Sequence, residues 1–163
     1  MVIEDLKRET VLEWLSEVPD PEIPVLTITD LGIVRDVTVN GEVVVALTPT
    51  YTGCPATEVI EQSVLDALHE HGVDHVEIRR VLSPPWTTDW ISEEGRAKLR
   101  DYGIAPPEKG AGKRAVLGGG PDIACPRCGA TATERISEFG STACNASYRS
   151  RECLEPFEYF KCI

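Results

Sequence analysis

The sequence predicts an α+β chain: a small α/β sandwich followed by a cysteine-rich β module. Three observations carry this. Helical and strand periods alternate through residues 3–103. A Gly- and Pro-rich stretch, APPEKGAGKRAVLGGG, then breaks every period. Beyond it, about 40 residues hold five of the six cysteines, and a unit that small usually folds only with a metal or disulfides.

The elements follow in order. Ile3, Leu6, Thr10, Val11, Trp14 and Leu15 recur at helical spacing, so residues 3–16 read as an amphipathic helix. Pro19, Pro21 and Pro24 stop it and force an extended loop, PDPEIP. LGIVRDVTV and EVVVALT then read as two strands joined at Asn40-Gly41, a hairpin signal because both residues tolerate positive φ. Pro55 to His71 reads as a second helix with Val59, Ile60, Val64, Ala67 and Leu68 on its apolar side and Gly72 at its end. DHVEIRRVL makes a third strand. A third helix is capped by Ser92, has Glu93 and Glu94 at its positive end, and stops at Gly103. The expected domains are therefore 1–104, a flexible linker 105–120, and a module 121–163.

Composition narrows the function classes. The chain has 163 residues, 26% of them charged, with a formal net charge of -11. Nucleic acid and anionic membrane both repel such a surface and are not expected partners. The first residues, MVIEDLKRET, carry neither a signal peptide nor a span. Six cysteines in a chain of cytoplasmic character suit ligands or reactive thiols better than a disulfide framework.

In the module, Cys125-Pro-Arg-Cys128 is a tight turn that aims two sulfurs at one point. TATERISEF, STACNASYR and LEPFEYFKC read as three strands, with Gly140 at the first turn. A knuckle, a hairpin, a second knuckle and a last strand is the zinc-ribbon plan, in which two C-x-x-C turns give a tetrahedral ion four ligands. Here the second knuckle is Ser150-Arg-Glu-Cys153, half missing. Cys125, Cys128 and Cys153 are the expected ligands, with water, Ser150 or Glu152 as the fourth. Cys144 lies nine residues before Cys153 and Cys162 nine after it. That spacing sets them facing each other on antiparallel strands, away from the knuckles, as a pair able to close a disulfide or hold a second metal.

In the first domain Cys54 has two readings. It is a small core residue, or a working thiol placed after a strand and before Pro55, where helix N–H groups favour a thiolate. Asp20 and Glu22 read as turn caps in the proline loop; a further role for them is implied only by the resemblance given below. Thr48, Thr50 and Thr52 are sheet surface, or donors to a bound group. His69, His71 and His75 suit a helix C-terminus better than a metal cluster. Trp86 and Trp90 are core packing or exposed anchors for a partner.

The segments DPEIPVLTITDLGIV, TPTYTGCPATE, PPWTTDW and SEFGSTACNASYRSRECLEPFEYFKCI resemble the PaaD (also called PaaJ) family of the bacterial phenylacetyl-CoA epoxidase system, over nearly all of the chain outside the linker. The N-terminal half is also similar to the SufT-type family of iron–sulfur assembly factors. The resemblance implies a SufT-like first domain and an accessory role in which the chain helps load iron or an iron–sulfur cluster into the oxygenase or reductase subunit. Those subunits become the expected partners, a homodimer remains an option, and the metals implied are zinc in the ribbon and a transient iron or cluster. It also brings the Asp-Pro-Glu element, Asp20 and Glu22, to Cys54, as ligands or proton carriers. The family pattern has cysteine at position 150, so Ser150 departs from it. The chain itself is not expected to be the epoxidase: it lacks paired Glu-x-x-His helices and a dinucleotide glycine fingerprint. The other readings are a scaffold that docks epoxidase subunits through the ribbon and the Trp segment, and, less favoured, a thiol–disulfide or electron-transfer protein.

Overall fold

The computed structural model describes residues 6–118 and 120–161. Contacts divide the chain into two compact units, Met1–Trp86 and Thr87–Ile163.

In the first unit, apolar residues at helical and alternating spacing face one core. Helix α1 is Arg8–Leu15 and buries Val11 and Leu15, one turn apart. Its N-cap, Lys7, makes no side-chain cap. The expected start at residue 3 lies outside the described residues. Strands β1 (Val34–Val39) and β2 (Val43–Leu47) form an antiparallel hairpin. Helix α2 (Thr57–Glu70) then crosses over to β3 (Val76–Arg80), which runs parallel to β2. The sheet order is β1-β2-β3. Val43, Val45 and Leu47 of the central strand are buried, and α1 and α2 pack together over the sheet.

The hairpin differs from expectation in one respect. Val39 pairs with Val43, so the loop has three residues, and only Gly41 takes a positive φ, +74°. A three-residue loop needs one left-handed position, and glycine supplies it without Cβ strain. Helix α2 also starts two residues later than Pro55. The Cys54 carbonyl accepts from Thr57 N–H at 3.1 Å, which makes 54–57 a turn before the helix.

Trp86 takes the core alternative. It is 4% exposed, and its indole N–H donates to the Leu31 carbonyl at 2.8 Å. It is not an exposed anchor. Trp86→Phe leaves a buried carbonyl without its donor, so we expect a loss of about 1–3 kcal/mol in urea unfolding. An unchanged midpoint would show that Leu31 finds another partner.

The second unit begins with a 3-10 turn, Thr88–Trp90, and helix α3, Glu93–Tyr102. As the sequence predicts, Ser92 Oγ accepts from Gly95 N–H at 2.9 Å, and Gly103 ends the helix at φ +94°. The four-stranded sheet has the order β4-β7-β6-β5, with β4 Ile104–Ala105, β5 Thr133–Ser137, β6 Asn145–Ser150 and β7 Pro156–Phe160. Residues 105–120, expected as a linker, are given structure. Ala105 pairs with Tyr159 in parallel, and Ala111–Val116 is a short helix, α4. Arg96 reinforces this start of the unit: it is buried and donates to the carbonyls of Thr88 and Pro107. Ala105, Ile123, Cys125, Phe157 and Tyr159 form the core, with Tyr148 and Cys153 packed against it. The turn into β6 is held by Glu158, which accepts from Ser141 N–H and Asn145 Nδ2. A Cβ at Gly140 would lie 2.7 Å from Glu158 Oε1, so a larger residue there displaces the carboxylate that holds the turn.

Candidate metal centre and the Cys54 hollow

Two short loops of the second unit carry the thiols, and they have the same backbone. In the first, Cys125 N–H donates to Ala130 O, Gly129 N–H donates back to Cys125 O, and Gly129 has φ +75°. In the second, Ser150 N–H donates to Glu155 O, Leu154 N–H donates back to Ser150 O, and Leu154 has φ +64°. A leucine in the left-handed region is costly, and it persists here because the surrounding bonds impose it. The side chains repeat the match. Cys125 Sγ accepts from the N–H groups of Arg127 and Cys128. Ser150 Oγ accepts from Glu152 N–H at 3.2 Å and Cys153 N–H at 3.3 Å. Ser150 therefore stands where the first sulfur of a second knuckle belongs.

Among the described residues, Cys125, Cys128 and Cys153 are the group of metal-ligating side chains whose ligand atoms all lie within 4.8 Å of one another. Sulfurs on one tetrahedral ion at about 2.3 Å each lie about 3.8 Å apart. Cys125 and Cys153 are separated by 3.8 Å. Three corners thus fit a thiolate-bound ion. Glu152 does not join the group, so it is not the fourth ligand in this arrangement. Ser150 is fully buried, with Oγ 3.5 Å from Cys128 Sγ. A hydrogen bond from that hydroxyl is the main cause that lowers the exposed Cys128 thiol to about 7, and the Ala130 N–H adds to it. Burial pushes the Cys125 thiol the other way, against its two N–H donors.

Cys144 is buried and lies outside this group. Strands β6 and β7 are antiparallel as expected, and Lys161 N–H donates to the Cys144 carbonyl. Cys162 lies outside the described residues, and so does the proposed pair.

Cys54, in the first unit, lines a hollow of about 510 Å³ together with Thr52, Gly53, Pro55, Glu58, Arg80 and Leu82. It is half-buried, neither sealed in the core nor fully exposed. The turn that holds it is fixed from both sides: Cys54 N–H donates to Tyr51 O and its carbonyl accepts from Thr57. Of the three threonines, only Thr52 lines the hollow; Thr48 and Thr50 are buried.

Sequence reasoning missed the charged wall. Arg80 ends β3 and is gripped by both oxygens of Glu61 on α2, one contact being Nη2 to Oε2 at 2.7 Å. That bond holds the Glu61 carboxyl below its usual range. The spacing from Glu61 to Arg80 leaves no local signal, since the pair forms only once β3 returns beside α2.

Asp20 and Glu22 do not line the Cys54 hollow. Asp20 is buried, and its Oδ1 accepts from Glu22 N–H at 3.0 Å and Ile23 N–H at 2.7 Å, the bonding of a turn cap. Burial raises its carboxyl above the ordinary value, and the two N–H donors oppose this. Glu22 is raised by burial and then by the Asp20 charge. A raised carboxyl contributes its stability below the unfolded value and loses it as pH rises through the folded one. Asn at position 20 keeps the acceptor without the buried charge. Asp20→Asn should therefore raise the melting midpoint at pH 7 by about 2–4 °C, and the gain should shrink as pH falls toward 4. A variant less stable than wild type at pH 7 would show that the N–H bonds to the carboxylate outweigh its burial.

His71 stacks on Trp14, ring centroids 4.1 Å apart, and the three histidines form no metal group. Trp90 is half-buried. No helix among the described residues is long and apolar enough to cross a membrane.

Comparison with known proteins matches the two units separately. The family model described as iron-sulfur cluster assembly protein matches residues 8–78, and that of the PaaD zinc beta ribbon domain matches residues 109–161. The chain is 53% identical, over 91% of its length and 89% of the relative's, to an Escherichia coli (strain K12) protein provisionally named as one of the subunits of 1,2-phenylacetyl-CoA epoxidase. It is 34% identical, over 60% of its length and 97% of the relative's, to an Fe-S protein maturation auxiliary factor of Bacillus subtilis (strain 168). Among solved structures, a domain of unknown function from Bacillus anthracis superposes with TM-score 0.53 at 30% identity, covering 56% of this chain and 90% of that one. A conserved hypothetical protein from Thermotoga maritima gives 0.50 at 33%, covering 58% and 94%.

Proposed function

We propose that this chain, which belongs to the PaaD family of phenylacetyl-CoA epoxidase subunits, is a maturation factor that carries iron or an iron–sulfur cluster to the oxygenase or reductase subunit. The observation that carries this reading is Cys54. It is a half-buried thiol fixed on a turn and lining a hollow, inside the stretch that matches iron–sulfur assembly proteins. A cargo metal needs an accessible soft ligand that holds it and then lets it go, and a half-buried cysteine beside solvent meets that need. Glu58 and Arg80 in the wall offer a carboxylate and a cation to whatever the sulfur holds.

The ribbon supplies a second, separate site. Its resident ion is zinc in this proposal, because three clustered thiolates at tetrahedral spacing suit a soft four-coordinate ion. Such an ion supplies a crosslink between the two knuckles. Cys125 anchors it from the core, Cys153 packs beside that core, and Cys128 completes the face toward solvent. The scaffold alternative loses part of its support, since Trp86 is buried and cannot anchor a partner.

The test is metal analysis of oxygenase and reductase purified from cells with and without this chain. A maturation factor leaves one of them depleted of iron or cluster when absent. Full loading of both in its absence would overturn the reading.

A further inference from the structure

We propose that the ion held by the ribbon keeps one coordination position for a thiolate from outside the chain. The inference rests on the reading of Cys125, Cys128 and Cys153 as a metal site, and it concerns what Ser150 does there.

The argument is stereochemical. A hydroxyl has two lone pairs and one O–H. Both N–H groups of the second knuckle, Glu152 at 3.2 Å and Cys153 at 3.3 Å, converge on Ser150 Oγ. They occupy the lone pairs, and the O–H is left to point at the Cys128 sulfur 3.5 Å away. A group that presents its proton to the cluster is a donor to thiolate and not a ligand to a cation. The matching residue of the first knuckle shows the contrast. Cys125 takes the same two backbone donors, yet a thiolate has a third lone pair to give the metal. Ser150 thus keeps the knuckle folded and leaves its corner of the tetrahedron unfilled.

Among the described residues, no other side chain fills that corner: no carboxylate or imidazole joins the three sulfurs. Ser150 is buried and Cys128 is exposed, so an ion drawn toward its three sulfurs is reached from the Cys128 side. Arg127, exposed within the first knuckle, favours an anionic ligand, while Arg151 in the second is paired with Glu134 at 3.3 Å. A soft ion with three thiolates and a cationic neighbour calls for a fourth thiolate. When a thiol binds, its proton goes to solvent and its sulfur bonds the ion. No electron is transferred.

Cobalt(II) in the full chain reads this out, because its visible bands report ligand number and type. The probe is 2-mercaptoethanol, added anaerobically to wild type, Ser150→Ala and Ser150→Cys. Wild type and Ser150→Ala should both take up cobalt, Ser150→Ala the more weakly because Cys128 loses its O–H donor, and both should gain thiolate-to-metal absorption as the thiol is added. Ser150→Cys should bind cobalt tighter by about tenfold or more and show no response, its fourth corner being filled. Two results overturn the proposal: no thiol response in wild type, or a response in Ser150→Cys as large as in wild type. Failure of wild type to bind cobalt at all would overturn the metal site itself.

Discussion

Cells whose only copy of this chain carries Cys54→Ser should grow on phenylacetate no better than cells that lack it. The substitution exchanges sulfur for oxygen in a half-buried side chain, at a turn held by main-chain bonds that serine leaves intact. Folding should therefore change by about 1 kcal/mol or less. What is lost is the soft ligand, for a serine hydroxyl neither ionises readily nor holds iron as a thiolate does. Iron or cluster in the client subunit should fall to the level seen without the chain, while the variant accumulates normally and melts with the wild type. Normal growth with full metal content would reduce Cys54 to a packing residue. A variant that fails to accumulate would be answered by Cys54→Ala, which tests the same sulfur.

The second large effect should come from taking metal away from the ribbon. A strong chelator, or Cys153→Ala, should strip hydrogen-exchange protection from β5, β6 and β7 while α1, α2 and β1–β3 keep theirs. Cys125 belongs to the core of the second unit and Cys153 packs against it, so an ion that joins them also joins β6 to the loop before β5. Ile123, Phe157 and Tyr159 pack around Cys125, and Phe160 and Ala146 are buried in the same sheet. The loops that carry the cysteines have little regular structure of their own, and metal binding there contributes to folding free energy. The second unit should lose about 10 °C or more in melting midpoint. Unchanged protection after chelation would mean that the core stands without metal.

Local signals were legible and contacts across the chain were not. Ser92 and Gly103 marked α3 because a cap and a left-handed stop act within one turn of their own residues. The β-branched run in VVVAL marked β2 beside the Asn40-Gly41 turn, and its burial alternates, with Val43, Val45 and Leu47 inward. By contrast β4 has two residues, and nothing near Ile104 announces a partner more than fifty positions away. The reading of 105–120 as linker followed from its glycines and prolines, and it could not anticipate that pairing. Trp86 shows the same limit: burial of an indole depends on a carbonyl at Leu31. At the site, the three knuckle cysteines were evident from spacing. The association of Asp20 and Glu22 with Cys54 was carried by resemblance alone, and Asp20 spends its carboxylate on its own loop. The Glu61–Arg80 pair escaped notice because its members sit on different elements.

The paired knuckles bear on how this protein can change over generations. One backbone loop is used twice, and its second copy keeps every main-chain bond while carrying oxygen in place of sulfur. Codons for serine and cysteine can differ by a single base. Selection can therefore convert an exchangeable site into a permanent one, or the reverse, by swapping one atom on an unaltered frame. The same main-chain bonds that hold Leu154 at φ +64° keep that frame in place while the ligand is exchanged.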